Sequence, residues 1–282
     1  MIPEKFKNFI KKHPLKPPFM DFFLSFHKGV SVLIKIMILM KRVFNIIDKE
    51  TDAGKVMVNI GGGHYYKRHW KVLDFNSDHY NFQMALIDYN FDLTSRKPLP
   101  FKDGSVSFFY SSHTFEHIPQ EYCKAILGEI FRSLKSGGIA RFTMPDFNLA
   151  YEAFSRNHKG FFESISLGES IERSFLDFFA GYMKERVSND KLRKDFSSMS
   201  REDFANFYVK DIPGDSQKKS VGSHISWWNY DKLKTMLEEA GFKNIYRSEK
   251  QQSAFPEMRG EGIYWGFDST NPEVSFFAEA IK

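Results

Sequence analysis

The sequence predicts an α/β fold with a mostly parallel sheet and a helical insertion, and three observations carry that reading. After residue 54, short apolar runs alternate with helical segments, which is the signal of parallel strands joined by crossovers. The first run leads directly into Asn59-Ile60-Gly61-Gly62-Gly63, and the later runs end on acidic or hydroxyl residues. With 282 residues, 42% of them hydrophobic and 17% aromatic, the chain can bury one substantial core and add a subdomain.

The segments before the sheet differ in character. Residues 1–18 are basic and broken by Pro14, Pro17 and Pro18, which disfavour a continuous helix. From about residue 21 to 49, Ser25, Lys28, Ser31, Lys35, Arg42, Asn45 and Lys49 draw a narrow polar stripe on an otherwise apolar helix. Such a face needs cover. Packing on the domain or on a second subunit would supply it, and so would peripheral contact with a membrane surface through residues 20–49. Lys28, Lys35, Lys41 and Arg42 interrupt the apolar run, so no transmembrane span is expected, and the N-terminal residues do not read as a signal peptide.

Cys123 is the sole cysteine, which excludes an intrachain disulfide and a Cys-rich zinc site, and no metal centre is assigned. The expected location is the cytoplasm, with the inner face of the membrane as the peripheral alternative. A net charge of +5 gives only weak support for a polyanionic partner.

Strands are predicted at residues 56–60, 71–75, 86–90, 106–111 and 139–144. Between the last two, residues 120–134 read as a helix with Ile126, Leu127, Ile130, Phe131 and Leu134 on one face, ended by Gly137 and Gly138. Residues 147–226 are helix-like, rich in Phe and charge, and read as an inserted subdomain that receives the acceptor. The sheet pattern resumes with a helix over 230–240 ended by Gly241, then strands near 244–248 and 274–281. The expected organisation is therefore an arm and amphipathic helix (1–50), a core in two parts (51–146 and 227–282) and the insertion between them.

The chemistry-bearing residues fall at the strand exits. Glycines after the first strand let backbone approach a ligand closely. About fifteen residues on, Asp74 ends the next strand, where a carboxylate can accept both hydroxyls of a ribose. A dinucleotide fold would place a full helix between these features to face a pyrophosphate, but residues 64–70 leave room for a turn or two, which suits a nucleoside cofactor without phosphates. Asp92 and Leu93 follow the third strand, where the carboxylate and a backbone N–H suit an adenine edge. Ser111, Ser112 and His113 end the fourth.

Taken in order, Asn59 to Gly63, Asp74, the segment FDLTSRKPLPFKDGSVSFFYSSHTFEHI and the segment LKSGGIARFTMPD resemble class I S-adenosylmethionine-dependent methyltransferases, in particular a compact bacterial type-11-like branch. The Glu116-His117 pair at the fourth strand exit is characteristic of that branch. The tail over 222–260 is similar to small methyltransferases found with bacterial surface-polysaccharide enzymes. The resemblance implies a Rossmann-like, seven-stranded sheet with an antiparallel last strand and S-adenosyl-L-methionine as cofactor. It implies the methionine moiety along Gly61, Gly62 and Gly63 and near Ser112 and His113, Asp74 at the ribose, and Asp92 with Leu93 at the adenine. Asn59 departs from the usual acid, and a later glycine of the loop is missing.

Methyl transfer is an in-line displacement that depends on positioning, and a hydroxyl acceptor benefits from a nearby base. His113 and His224 are the candidates, with His117 as a third. Glu116 and His117 are expected to open the following helix and brace the cofactor loop. Asp146, at the fifth strand exit, either faces the acceptor or makes a turn, and Trp227 and Trp228 either line an acceptor pocket or fill the core. The leading expectation is O-methylation of a sugar or glycan precursor. N-methylation of a small amine or amino-sugar, and a nucleoside-binding protein without turnover, are the alternatives. Nucleic-acid methylation is disfavoured, because no Asn-Pro-Pro-Tyr or Asp-Pro-Pro-Tyr element follows the fourth strand.

Overall fold

A computed structural model describes residues 54–62, 70–75, 87–165, 169–216, 222–259, 268 and 270–282. The basic arm, the predicted amphipathic helix, Gly63 and almost all of the short connection 64–70 lie outside the described residues.

Seven strands form one sheet: β1 (Met57–Ile60), β2 (Trp70–Asp74), β3 (Tyr89–Asn90), β4 (Val106–Ser112), β5 (Leu134–Pro145), β6 (Asn244–Ser248) and β7 (Ser275–Ile281). Their order is β3-β2-β1-β4-β5-β7-β6. The pairings from β3 to β5 are parallel, and β7 runs antiparallel to both β5 and β6. All four residues of β1 are buried, as are six of the seven in β7, because layers cover both faces of the sheet.

On one face lie α1 (Gln120–Ser133) and α7 (Tyr230–Ala240), which bury Leu127, Ile130, Leu233 and Leu237 against Phe109, Phe142 and Ala278. Asn229 caps α7 by accepting from the Lys232 N–H at 2.8 Å, and Gly241 ends it at φ +109°, a left-handed conformation that glycine adopts without penalty. On the other face, Trp70, Phe108 and Tyr110 pack with Phe255, whose ring stacks on Phe108 at 4.2 Å between centroids.

Between β5 and α7 come α2 (Phe147–Ser155), α3 (Lys159–Glu163), α4 (Ile171–Ala180), α5 (Asn189–Ser198) and α6 (Arg201–Val209), and no strand occurs among the described residues of this stretch. They enclose a second core centred on Phe147, Phe154, Phe175, Phe179 and Phe204. Ser170, Ser188 and Ser200 each cap the helix that follows through the side-chain oxygen. No helix among the described residues is long and apolar enough to cross a membrane.

Some expected boundaries are corrected. The glycines at 137 and 138 do not end α1; Leu134 does, by turning extended and pairing with Val106, so β5 starts five residues early. Gly137, at φ +73°, sits inside β5, where its N–H reaches the Lys282 carbonyl at 2.8 Å. The third strand shrinks to two residues, which pair with Leu73 and Asp74 only.

Candidate active site

The strand order reverses between β1 and β4, and in open α/β sheets the crevice outside the carboxyl ends at such a point is where ligands bind. Register brings Ile60 beside Ser111 and Leu73, and Asp74 beside Asn90, so the exits bearing Asn59, Gly61, Gly62, Asp74, Asp92, Leu93, Ser111, Ser112 and His113 share one edge. Asp74 accepts from the Phe75 N–H at 2.7 Å. Asp92 forms a local turn, accepting from the Thr94 N–H at 2.8 Å and the Thr94 hydroxyl at 2.7 Å.

Gly61 and Gly62 have reasons within the protein. Gly61 has φ +67°, and a Cβ there would lie 2.2 Å from the Thr114 hydroxyl oxygen; one on Gly62 would meet the Asn59 amide at 2.8 Å. Thr114 also donates to the Ile60 carbonyl at 3.3 Å or the Ser112 carbonyl at 3.2 Å, which ties the β4 exit to the glycine turn. A polar ligand finds its invitation one residue back: the Ser111 hydroxyl is buried and has no hydrogen-bond partner.

Beyond the crevice stands a carboxylate ringed by histidines. Glu116 lies in a single turn of 3₁₀ helix (Phe115–His117) and is 1% exposed. Its Oε1 is 3.0 Å from His113 Nδ1 and 3.9 Å from His224 Nε2, and the His117 and His224 rings meet edge to face at 4.9 Å. The contact with His113 is an ion pair when that imidazole carries a proton. Burial pushes the Glu116 carboxyl up, but contact with His113 and the charges of His113, His117 and His224 outweigh it and bring it down to about 2. Burial pulls His224 down to about 4, against the opposing charge of Glu116. His113 takes φ +50°, a conformation that costs a non-glycine residue about 1–3 kcal/mol, and its N–H bonds to the Thr143 carbonyl.

His113 and His224 line one cavity of about 440 Å³ together with Pro145, Asp177, Ser223 and Asn271. It sits between the β4 and β5 exits and the helical layer. His113 Nε2 is 3.0 Å from the Ser275 hydroxyl, whose single hydrogen serves either that nitrogen or the Asn271 carbonyl 2.7 Å away. Asp177 is paired with Lys184 at 2.5 Å.

Several single-residue expectations resolve here. His113 and His224, which are 111 positions apart, share a cavity; His117 joins them through Glu116. Glu116 does not open α1. Its carbonyl accepts from the Ile225 and Ser226 N–H groups, so it fastens the β4 exit to the segment that returns from the insertion. Trp227 and Trp228 are core, 4% and 1% exposed, with their indole N–H groups bonded to Asn206 and Ser226. Asp146 caps α2 and pairs with Arg247 at 3.0 Å, as its turn reading anticipated. Asp177, Asn271 and Ser275 were not anticipated, since no spacing in the sequence connects them to the fourth strand.

A family model described as a methyltransferase domain matches residues 71–142, about a quarter of the chain, from β2 into β5. No curated protein matches. Solved structures similar to this chain include an S-adenosylmethionine-dependent methyltransferase from Archaeoglobus fulgidus, at 13% identity and TM-score 0.40, covering 86% of this chain and 93% of that one. Another, from Mesorhizobium loti, shows 14% identity and TM-score 0.42, covering 86% and 96%. A third, phosphoethanolamine N-methyltransferase 2 from Haemonchus contortus in complex with S-adenosyl-L-methionine, shows 13% identity and TM-score 0.40, covering 86% and 52%.

The sheet order and the crevice at its switch point define a Rossmann-like fold, and residues 71–142 within it carry a methyltransferase domain.

Proposed function

We propose that the enzyme O-methylates a hydroxyl of a sugar or glycan precursor, with S-adenosylhomocysteine as the second product. The observation that carries this reading is the Glu116–His113 pair, 3.0 Å apart, in which His113 lines the cavity beside the crevice and Glu116 is buried. A carboxylate beside Nδ1 favours the tautomer with its hydrogen there, leaves Nε2 to accept a proton, and balances the imidazolium that results. Nε2 stands 3.0 Å from one hydroxyl already, that of Ser275, which is the reach a base needs toward an acceptor hydroxyl.

When bound, S-adenosylmethionine supplies an electrophilic methyl group on its sulfonium. In this reading Asn59, Gly61, Gly62, Gly63, Ser111, Ser112 and His113 surround its methionine part, Asp74 takes the ribose hydroxyls, and Asp92 with the Leu93 N–H takes the adenine. His113 removes the acceptor proton, and His224 helps to wall the acceptor cavity. The helices over 147–226 close that cavity from above. N-methylation of an amine would ask for free carboxylates there, and the one carboxylate among its described lining residues, Asp177, is neutralised by Lys184.

The test is calorimetry with S-adenosylmethionine, followed by mass-spectrometric detection of a methyl gain on a panel of nucleotide sugars, free glycans and amino-sugars. The expected result is cofactor binding that weakens about tenfold in Asp74→Ala, as for a lost charge-assisted bond. His113→Gln should lower turnover on a sugar hydroxyl by much more than it weakens cofactor binding. Absence of cofactor binding would overturn the catalytic reading, and methylation confined to amines would overturn the choice of acceptor.

A further inference from the structure

Glu116, His117 and His224 place one donor atom each within 4.8 Å of the other two. The surroundings of the two imidazoles fix which atoms are available. His117 Nδ1 lies 3.1 Å from the Ser223 carbonyl, and His224 Nδ1 lies 2.8 Å from the Phe178 carbonyl. A carbonyl only accepts, so each Nδ1 carries a hydrogen, and in the neutral ring Nε2 presents the lone pair. His224 Nε2 is directed to within 3.9 Å of the Glu116 carboxylate. Both carboxylate oxygens of Glu116 are buried, and neither receives an aligned hydrogen bond. A buried anion in that state is costly unless a cation meets it.

Histidines that ligate a metal through one nitrogen characteristically donate the other N–H to a backbone carbonyl or carboxylate, which fixes tautomer and ring orientation. Both imidazoles have that arrangement, and they flank a buried carboxylate whose other close partner is His113 at 3.0 Å.

We propose that Glu116, His117 and His224 bind one divalent transition-metal ion of the zinc class. Two imidazoles and a carboxylate suit zinc, iron(II), cobalt or nickel better than magnesium or calcium, which prefer all-oxygen sets. Tetrahedral coordination at about 2.1 Å places ligand atoms about 3.4 Å apart, so side-chain rotations of about an ångström close the set. Three protein ligands leave a fourth position. Ser223 and His224 line the cavity that also holds His113, so that position opens toward it and takes water or an oxygen of a bound molecule.

The experiment uses the untagged full chain, stripped with a chelator, dialysed, and titrated with zinc and with cobalt(II). Calorimetry gives stoichiometry and affinity, elemental analysis the retained metal, and the cobalt visible spectrum the coordination. One ion per chain is expected, with a tetrahedral cobalt spectrum and a raised melting temperature. His117→Gln and His224→Gln should each weaken binding at least tenfold, with circular dichroism confirming that they fold, while His158→Gln, on the exposed start of α3, binds as the parent does. Should Glu116→Gln fail to fold, the two histidine variants decide alone. No binding by the stripped parent, or equal binding by the parent and both histidine variants, overturns the proposal.

Discussion

Thr114 fills the volume that any side chain on Gly61 would need: its hydroxyl oxygen and both of its side-chain carbons lie within 2.8 Å of where a Cβ on Gly61 would stand. The threonine also hydrogen-bonds across the crevice floor. The glycine turn and the β4 exit are therefore one unit, and Gly61→Ala strains both. A positive φ alone costs an L-residue about 1–2 kcal/mol, which in a domain of this size lowers the melting temperature by roughly 2–8 °C. The steric clash adds to that. Gly61→Ala with Thr114→Ala should relieve the two closest contacts and leave the φ penalty with the 2.8 Å approach of the residue-114 Cβ; if the double variant melts no higher than Gly61→Ala, the two loops are not coupled through Thr114.

Arg141, in the middle of the sheet on β5, is fully buried and bonds Asp268 through Nε and Nη2 and Glu279, its register partner on β7, through Nη1 at 3.0 Å. Arg141→Met leaves two carboxylates in the core without a cation, at about 3–5 kcal/mol. Arg141→Lys should rescue little, because an ammonium cannot replace the planar fork. Urea unfolding at neutral pH reads both; a loss under about 1 kcal/mol in Arg141→Met would show that the carboxylates are satisfied in another way.

Phe175 is 0% exposed, stacks on Phe154 at 4.2 Å and lies parallel to Phe204 at 5.9 Å. Phe175→Ala opens a cavity at the centre of the helical layer and should cost about 3–5 kcal/mol. Because Val274 and Trp227 join this core to the sheet's flank, one cooperative transition at lower temperature is expected. Two separated transitions in calorimetry would show that the layer melts independently.

Lys232 provides a pH signature. Its ammonium lies 3.8 Å from the Trp227 ring centroid and donates to the Trp227 carbonyl at 2.7 Å and to Gln120 at 3.0 Å. Burial nevertheless pulls its pKa from 10.5 down to about 7, against the opposing influence of Cys123 and Glu202. Between about pH 7 and about pH 10 the unfolded chain keeps a proton that the native state has released, so this residue makes stability rise with pH across that window. Lys232→Met should flatten the rise, measured as urea midpoints across the window. Equal slopes in the two proteins would assign the effect to another group.

What was legible in the sequence is what neighbours in sequence decide. α7 spans 230–240 and ends at Gly241 as expected, because capping is settled within a turn. Asp74 and the fourth strand's exit were found by strand spacing alone. The start of β5 was misplaced because Leu134 answers to Val106, 28 positions earlier, more than to the glycines after it. Glu116 was read as a helix opener because its partners His113 and His224 come together only when the insertion has folded back. Trp227 and Trp228 were open to two readings, since an aromatic pair looks the same in sequence whether it faces a cavity or a core.

The last strand in the sequence is not the last in the sheet. β7 lies between β5 and β6, so β6 has no partner, and β5 keeps an open edge, until residues 275–281 arrive. A chain emerging from the ribosome thus holds its sheet incomplete through the whole insertion and α7, with Arg141 waiting for Glu279. A cut between residues 248 and 275 leaves both β5 and β6 without their shared partner, and the predicted fate of such a fragment is self-association in place of a smaller folded enzyme.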